Sequence, residues 1–93
     1  MKKQSNIDTV LDMVEAFLKG NMSRMDFQLD FPYEVQQRYQ KMAREDEEFA
    51  RLIDNRLVED GVYKGERLSD EAFHELIRKQ FLDVVDISEE GFL

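Results

Sequence analysis

The sequence predicts a single all-α domain over residues 1–93, built as a small antiparallel four-helix bundle. Apolar residues recur three and four positions apart in four segments, which is the spacing of one buried helix face. Short connections between such helices favour antiparallel neighbours. A length of 93 residues fits one domain. We expect the core to span residues 6–85 and an acidic tail to follow over residues 86–93.

The first segment has the clearest periodicity. Ser5 or Asn6 is expected to cap its N-terminus, because a short side-chain oxygen accepts a hydrogen bond from a free helix amide. Gly20 is expected to end it in the left-handed conformation. The predicted buried stripe contains Ile7, Val10, Leu11, Val14, Phe17 and Leu18.

Pro32 divides the second segment in this prediction. Ser23 begins a short helix or single turn near residues 23–30, and a separate helix runs from Pro32 to about Arg44. Proline disfavours helical geometry at the preceding residue, here Phe31, and suits the first position of a helix. The predicted stripe contains Val35, Tyr39 and Met42.

Two more segments complete the bundle. The acidic run Glu45–Glu48 opens a third helix, which Gly61 ends, and its stripe contains Phe49, Leu52, Ile53 and Leu57. Ser69 caps a fourth helix, and Leu68 is placed to pack against Phe73. Its stripe contains Phe73, Leu76, Ile77, Phe81 and Val84. The periodicity weakens after that, with a short extended piece at Val84, Val85 and Ile87 as the alternative to a tail.

Composition excludes several classes of function. The net charge of −8 argues against direct binding to nucleic acid, which needs a basic surface. The absence of Cys excludes disulfides, thiolate metal sites and Cys nucleophiles. The polar N-terminal residues predict neither a signal peptide nor a membrane span, so we expect a cytoplasmic protein.

Neither a metal site nor an active site is expected. Glu71 and His74 have the Glu-x-x-His spacing of di-iron bundles, but those sites need this motif from two helices. A homodimer sharing the motif is the alternative to a His that faces solvent. The glycines are isolated, so no phosphate-binding loop is predicted, and no cofactor is expected. A low-activity enzyme ranks last among the functions considered.

The negative charge is concentrated in the second half of the chain. Residues 45–93 contain 6 Lys or Arg and 15 Asp or Glu, a net of −9. Several of these carboxylates lie at helix N-termini, where they offset the helix dipole, but Glu59 and Asp60 lie at a predicted C-terminus. Such a surplus creates a field that attracts a basic protein. The predicted partner-binding residues are Glu45, Asp46, Glu47, Glu48, Glu59, Asp60, Tyr63, Asp70, Glu71 and Glu75.

Residues 14–27, with the sequence VEAFLKGNMSRMDF, resemble the opening of the colicin D immunity-like proteins. Residues 68–73, with the sequence LSDEAF, look like the final helix of that family. The resemblance implies a small acidic four-helix bundle that binds and blocks an RNA-cleaving toxin domain. It implies carboxylates placed where the phosphates of the substrate would lie.

We therefore predict an immunity-like inhibitor that occludes a basic RNA-cleaving toxin domain through an acidic face. One alternative is a small cytosolic adaptor or regulatory protein that has an apolar exposed patch and can form a homodimer. Another is a phage-type inhibitor that mimics nucleic acid. The oligomeric state is left open.

Overall fold

Four helices surround one apolar core in the residues that the structure describes. The structure is a computed structural model, and it describes the backbone of residues 5–91 and the side chains of residues 5–86. Helix α1 spans Asn6–Leu18, α2 spans Arg24–Glu45, α3 spans Glu47–Leu52 and α4 spans Asp70–Gly91. A π-helix over Ile53–Tyr63 continues α3 directly, and the two make up the third rod of the bundle. The predicted all-α four-helix bundle is confirmed.

The predicted helix starts are confirmed at three serines. The Oγ atoms of Ser5, Ser23 and Ser69 accept hydrogen bonds from the amides of Asp8, Asp26 and Ala72 at 3.0, 3.1 and 3.2 Å. Each bond satisfies an amide of the first turn that has no partner within the helix. Gly20 follows α1 with a φ of 84°, the left-handed conformation expected there.

The prediction that Pro32 divides the second segment is wrong. Helix α2 is continuous, with Pro32 inside it. A proline in a helix interior costs about 3 kcal/mol, since it removes one backbone hydrogen bond. Packing offsets this cost: Phe27 and Phe31 before the proline and Val35 and Met42 after it are all buried in the core. A break at Phe31 would change the direction of the chain and move Val35 and Met42 off the face that Phe27 and Phe31 share with them.

Two predicted helix ends also need correction. The third rod does not end at Gly61 but continues to Tyr63 as the π-helix. Residues 86–91, expected as a tail or an extended piece, belong to α4. Residues 92 and 93 of the predicted tail lie outside the described residues, as do residues 1–4, on which part of the N-terminal prediction rests.

An aromatic cluster joins three helices at the centre of the core. The Phe17 ring of α1 stacks on Phe27 with centroids 4.6 Å apart, and Phe73 of α4 meets Phe17 edge-on at 5.5 Å. The buried core residues of the four predicted stripes are Ile7, Val10, Val14, Phe17, Val35, Met42, Ile53, Leu57, Phe73, Ile77 and Val84. The apolar periodicity therefore identified most of the buried core, and the structure adds Phe27, Phe31, Ala50, Val58 and Val62 to these stripes.

The turn between the π-helix and α4 packs tightly on that cluster. A Cβ atom at Gly65 would lie 2.8 Å from Cδ1 of Phe73 and 2.9 Å from the Gly61 carbonyl oxygen. Only glycine fits this approach, so Gly65 fixes where the π-helix ends relative to α4.

No helix within the described residues is both long enough and apolar enough to cross a bilayer.

Candidate functional site

A groove lined partly by exposed apolar side chains lies between α2 and the π-helix. Two concavities, of about 500 and 550 Å³, adjoin one another, and Tyr63 lines both. We call this surface the α2–π groove. Its lining residues are Met25, Gln28, Leu29, Pro32, Gln36, Tyr39 and Gln40 from α2, Asp54, Val58, Glu59, Val62 and Tyr63 from the π-helix, and Glu66 from the following turn.

One uncharged stripe of α2 supplies the floor of the groove. Its seven residues recur three and four positions apart from Met25 to Gln40. At 3.6 residues per turn they fall within a sector of about 120°. The exposed charged residues Asp26, Asp30 and Lys41 lie on another side of the helix. The stripe is therefore a distinct face of α2 beside the buried face.

The π-helix supplies the opposite wall because of its wider hydrogen-bonding pattern. Its bonds join residues five apart, which places Asp54 above Glu59 and Val58 above Tyr63 on one side. In an α-helix, two residues five apart are rotated by about 140° and point in different directions. The π-helical register thus brings two carboxylates and one aromatic ring to the same groove.

The groove is acidic and contains no lysine or arginine among its lining residues. The carboxylates of Asp54, Glu59 and Glu66 make no ion pair or hydrogen bond within the described residues. Because none of the described cations lies within ion-pair distance of them, these three groups give the groove a negative potential.

Large apolar side chains at one end of the groove are open to solvent. Met25 is 70% exposed, Leu29 is 67% exposed and Tyr63 is 54% exposed. All three line the same concavity. Exposed apolar residues that cluster in this way, with a polar rim, are typical of a surface that binds another protein.

Arg24 holds this end of the groove in place. Its Nη1 atom donates to Oδ1 of Asp70 at 2.8 Å, and its Nη2 atom donates to the carbonyl oxygens of Gly65 and Glu66 at 3.2 Å each. The guanidinium carbon lies 4.4 Å from the Phe73 ring centroid, a cation–π contact. Arg24 thus fastens the turn that carries Glu66 to the start of α2.

The acidic run at residues 45–48 serves the helix ends rather than forming an open cluster. Glu45 is the last residue of α2, and it accepts from the amides of Asn6 and Ile7 at 2.9 and 3.1 Å and from Asn6 Nδ2 at 2.9 Å. Asp46 caps α3 by accepting from the Phe49 amide at 3.1 Å. Glu47 pairs with Arg51 at 3.2 Å. Of the four, only Glu48 makes no side-chain contact of this kind within the described residues.

The remaining predicted site residues are divided between the groove and intramolecular ion pairs. Asp60 pairs with Lys64 at 3.3 Å and Asp70 with Arg24 at 2.8 Å. The Nη2 atom of Arg78 lies 2.6 Å from Oε1 of Glu75, and the hydrogen bond that it donates lowers the pKa of the Glu75 carboxyl group. Glu71 is exposed and unpaired within the described residues.

Of the ten predicted residues, only Glu59 and Tyr63 line the groove. The structure adds Asp54 and Glu66 to its acidic wall and the seven uncharged residues of α2 to its floor. The uncharged stripe could have been found in the sequence, because an uncharged helix face is unusual in a chain with 37% charged residues. It crosses the expected break at Pro32, however, and so was not recognised as one face.

Glu45 makes stability depend on pH. Burial of its carboxylate raises the pKa, but the hydrogen bonds from Asn6 and Ile7 outweigh this effect and lower it from 4.5. Because the folded pKa lies below the unfolded one, the stabilisation is complete above pH 4.5 and is lost as the pH falls through the folded pKa.

We expect Glu45→Gln to lower the free energy of unfolding at pH 7 by about 0.5–1 kcal/mol, since a neutral amide no longer offsets the α1 dipole. The difference from the wild type should be smaller at pH 3 than at pH 7, because more of the Glu45 carboxyl group is protonated at the lower pH. Urea unfolding at both pH values measures it, with Asp83→Asn, an exposed carboxylate of α4, as the control. An equal loss at pH 3 and pH 7 would contradict this role for the charge.

His74 is not the solvent-facing residue that we predicted. It is half-buried, its Nε2 atom lies 3.0 Å from the Leu18 carbonyl oxygen, and its ring lies 5.5 Å from that of Phe17. The imidazole therefore satisfies a carbonyl at the C-terminus of α1. No group of three or more potential metal ligands occurs within the described residues.

Comparison with known proteins adds no assignment to these observations: no family model, curated protein or solved structure matches the chain.

Proposed function

We propose that the protein is a non-catalytic inhibitor that acts in the cytoplasm by binding and occluding a basic RNA-cleaving toxin domain. The observation that carries this proposal is the α2–π groove, which combines an exposed tyrosine with three carboxylates that have no ion-pair partner among the described residues, and which has no basic lining residue. The similarity of residues 14–27 and 68–73 to the colicin D immunity-like proteins supports the same class of partner.

The three carboxylates attract the partner, and Tyr63 anchors it. Complementary charge raises the rate of encounter and orients the basic surface toward the groove. Charge alone gives little affinity, because both partners must be desolvated, so an aromatic side chain that loses contact with water supplies the larger part. The helices that form the groove are packed before binding, and little ordering entropy is lost.

The paired carboxylates have a smaller role in this proposal than the sequence predicts. An ion pair within the chain must be broken or shared before its carboxylate can meet a cation of the partner. Asp60, Asp70 and Glu75 each have such a pair, whereas Asp54, Glu59 and Glu66 have none within residues 5–86. We therefore place the acidic binding face at the groove.

The gene beside that of this chain offers the direct test. We expect it to encode a large secreted protein with a basic C-terminal domain. That purified domain should cleave RNA, and an equimolar amount of this chain should stop the cleavage. Cleavage that continues at the same rate with the chain in excess would contradict the proposal.

Charge substitutions locate the acidic face. The triple variant Asp54→Asn, Glu59→Gln, Glu66→Gln should slow association with that domain at least tenfold at low salt, and wild-type association should slow as salt increases. The matched control is Asp30→Asn, Glu71→Gln, Asp83→Asn, which changes the net charge equally at exposed positions outside the groove. Stopped-flow kinetics measures the association rate of both triple variants. Equal slowing in the two would show that the groove carboxylates are no more important for binding than other exposed carboxylates.

A small adaptor is the second candidate, and the exposed Met25 and Leu29 favour it. Such a protein would bind its partner mainly through apolar contact, so its affinity would change little between low and high salt. The salt dependence of the same association measurement separates the two functions.

A further inference from the structure

We propose that the α2–π groove accepts a single basic amphipathic α-helix of the partner. This inference rests on the proposed function, because it names the element of a basic protein that occupies the groove. Three features of the groove indicate a helix as its ligand: the length of the groove, the backbone chemistry of its two sides and its charge.

The length of the groove matches a helix of ordinary size. Its floor on α2 extends from Met25 to Gln40, which is about 22 Å at 1.5 Å per residue. A partner helix of about 15 residues covers that distance. The α2 floor and the π-helix wall are both helical rods, and a third helix packs into the space between two others by the same ridge-and-groove contacts that build a bundle.

The backbone chemistry of the walls selects a helix over an extended segment. An extended peptide must find partners for its own amides and carbonyls, which it usually does at the open edge of a sheet. Here the floor and the wall of the groove are both helices, and their backbone groups bond within each helix. A helical partner brings its backbone groups already paired, so only its side chains need contacts.

The lining residues determine which side chains that helix carries. Met25, Leu29 and Tyr63 call for apolar residues at i, i+3 or i+4, and i+7 on the inward face. Asp54, Glu59 and Glu66 call for Lys or Arg along the edge that faces the π-helix. The floor residues Gln28, Gln36 and Gln40 carry no charge, so they repel neither edge.

Two synthetic peptides of about 18 residues test this inference. Both contain the same Leu, Lys and Ala residues; one is ordered as an amphipathic helix, and the other is permuted so that no apolar face forms. Fluorescence anisotropy measures affinity, and circular dichroism measures helix gained on binding. We expect the amphipathic peptide to bind at least tenfold more tightly than the permuted one and to gain helix.

Matched variants of the chain show where the peptide binds. Leu29→Ser, in the groove, should weaken the amphipathic peptide at least tenfold, whereas Leu82→Ser, equally apolar and 46% exposed on α4, should leave its affinity unchanged. Equal affinity for both peptides, no binding of either, or equal losses from the two variants would overturn the inference.

The failure of this inference is distinguishable from that of the proposed function. If the groove triple slows the RNA-cleaving domain but neither peptide binds, the inference of a helical occupant fails and the inhibitor function stands. If the amphipathic peptide binds in the groove but RNA cleavage is unaffected by the chain, the helix-binding groove stands and the inhibitor function fails.

Discussion

Phe27→Ala is expected to lower the free energy of unfolding by about 3–5 kcal/mol. Phe27 is fully buried, and its ring stacks on Phe17 and Phe31 at 4.6 and 4.9 Å and lies 6.4 Å from Phe73. Truncation leaves a cavity between three helices, and the neighbouring rings cannot all move inward to fill it. Domains of this size have a total stability of about 5–15 kcal/mol, so the variant should be largely destabilised.

Urea unfolding followed by circular dichroism measures this loss. Phe27→Leu keeps part of the apolar volume and should lose less, which keeps the test informative if the alanine variant does not fold. Leu82→Ala, at an exposed position, is the control and should change stability by no more than about 0.5 kcal/mol. A loss of less than about 1 kcal/mol for Phe27→Ala would mean that the aromatic cluster does not join the helices as described.

Tyr63→Ala is expected to weaken binding of the RNA-cleaving domain by about 30-fold or more, which corresponds to about 2 kcal/mol. The ring is the one side chain that lines both concavities, so its removal opens the centre of the interface to water. The fold should be retained, because 54% of the residue is already exposed. The loss should appear mainly as faster dissociation, since the charges that govern encounter remain.

Tyr33→Ala is the matched control for this prediction. Tyr33 is also on α2 and 58% exposed, but it does not line the groove. Surface plasmon resonance gives both rate constants for each variant. If Tyr33→Ala weakens binding as much as Tyr63→Ala, the groove is not the centre of the interface.

The fold was largely predictable because the local sequence indicates where each helix begins and which of its faces is buried. Apolar periodicity identified most of the core, and Ser5, Ser23 and Ser69 each cap the helix they were expected to begin. The continuous helix through Pro32 was not predictable in the same way. A local rule favours a break there, and it is overridden by burial of Phe27 and Phe31 before the proline together with Val35 and Met42 after it, which the whole bundle determines.

The candidate site was predictable only in part, because partners distant in sequence decide which charges remain available. Glu45 contacts Asn6 and Ile7, 39 and 38 residues away, and Arg24 meets Asp70 across 46 residues. Neither contact can be predicted from the spacing of residue types within one helix. The π-helical register also changed which residues share a face, so Asp54 was not grouped with Glu59 and Tyr63.

Site-specific photocrosslinking tests the central claim, that a basic protein binds over Tyr63, most directly. A benzophenone amino acid replaces Tyr63 in one variant and Leu82 in another, and each is mixed with the purified RNA-cleaving domain. We expect a crosslink from position 63 to an apolar helix face of that domain and none from position 82. Crosslinks from position 82 alone, or from neither position while RNA cleavage is still blocked, would contradict it.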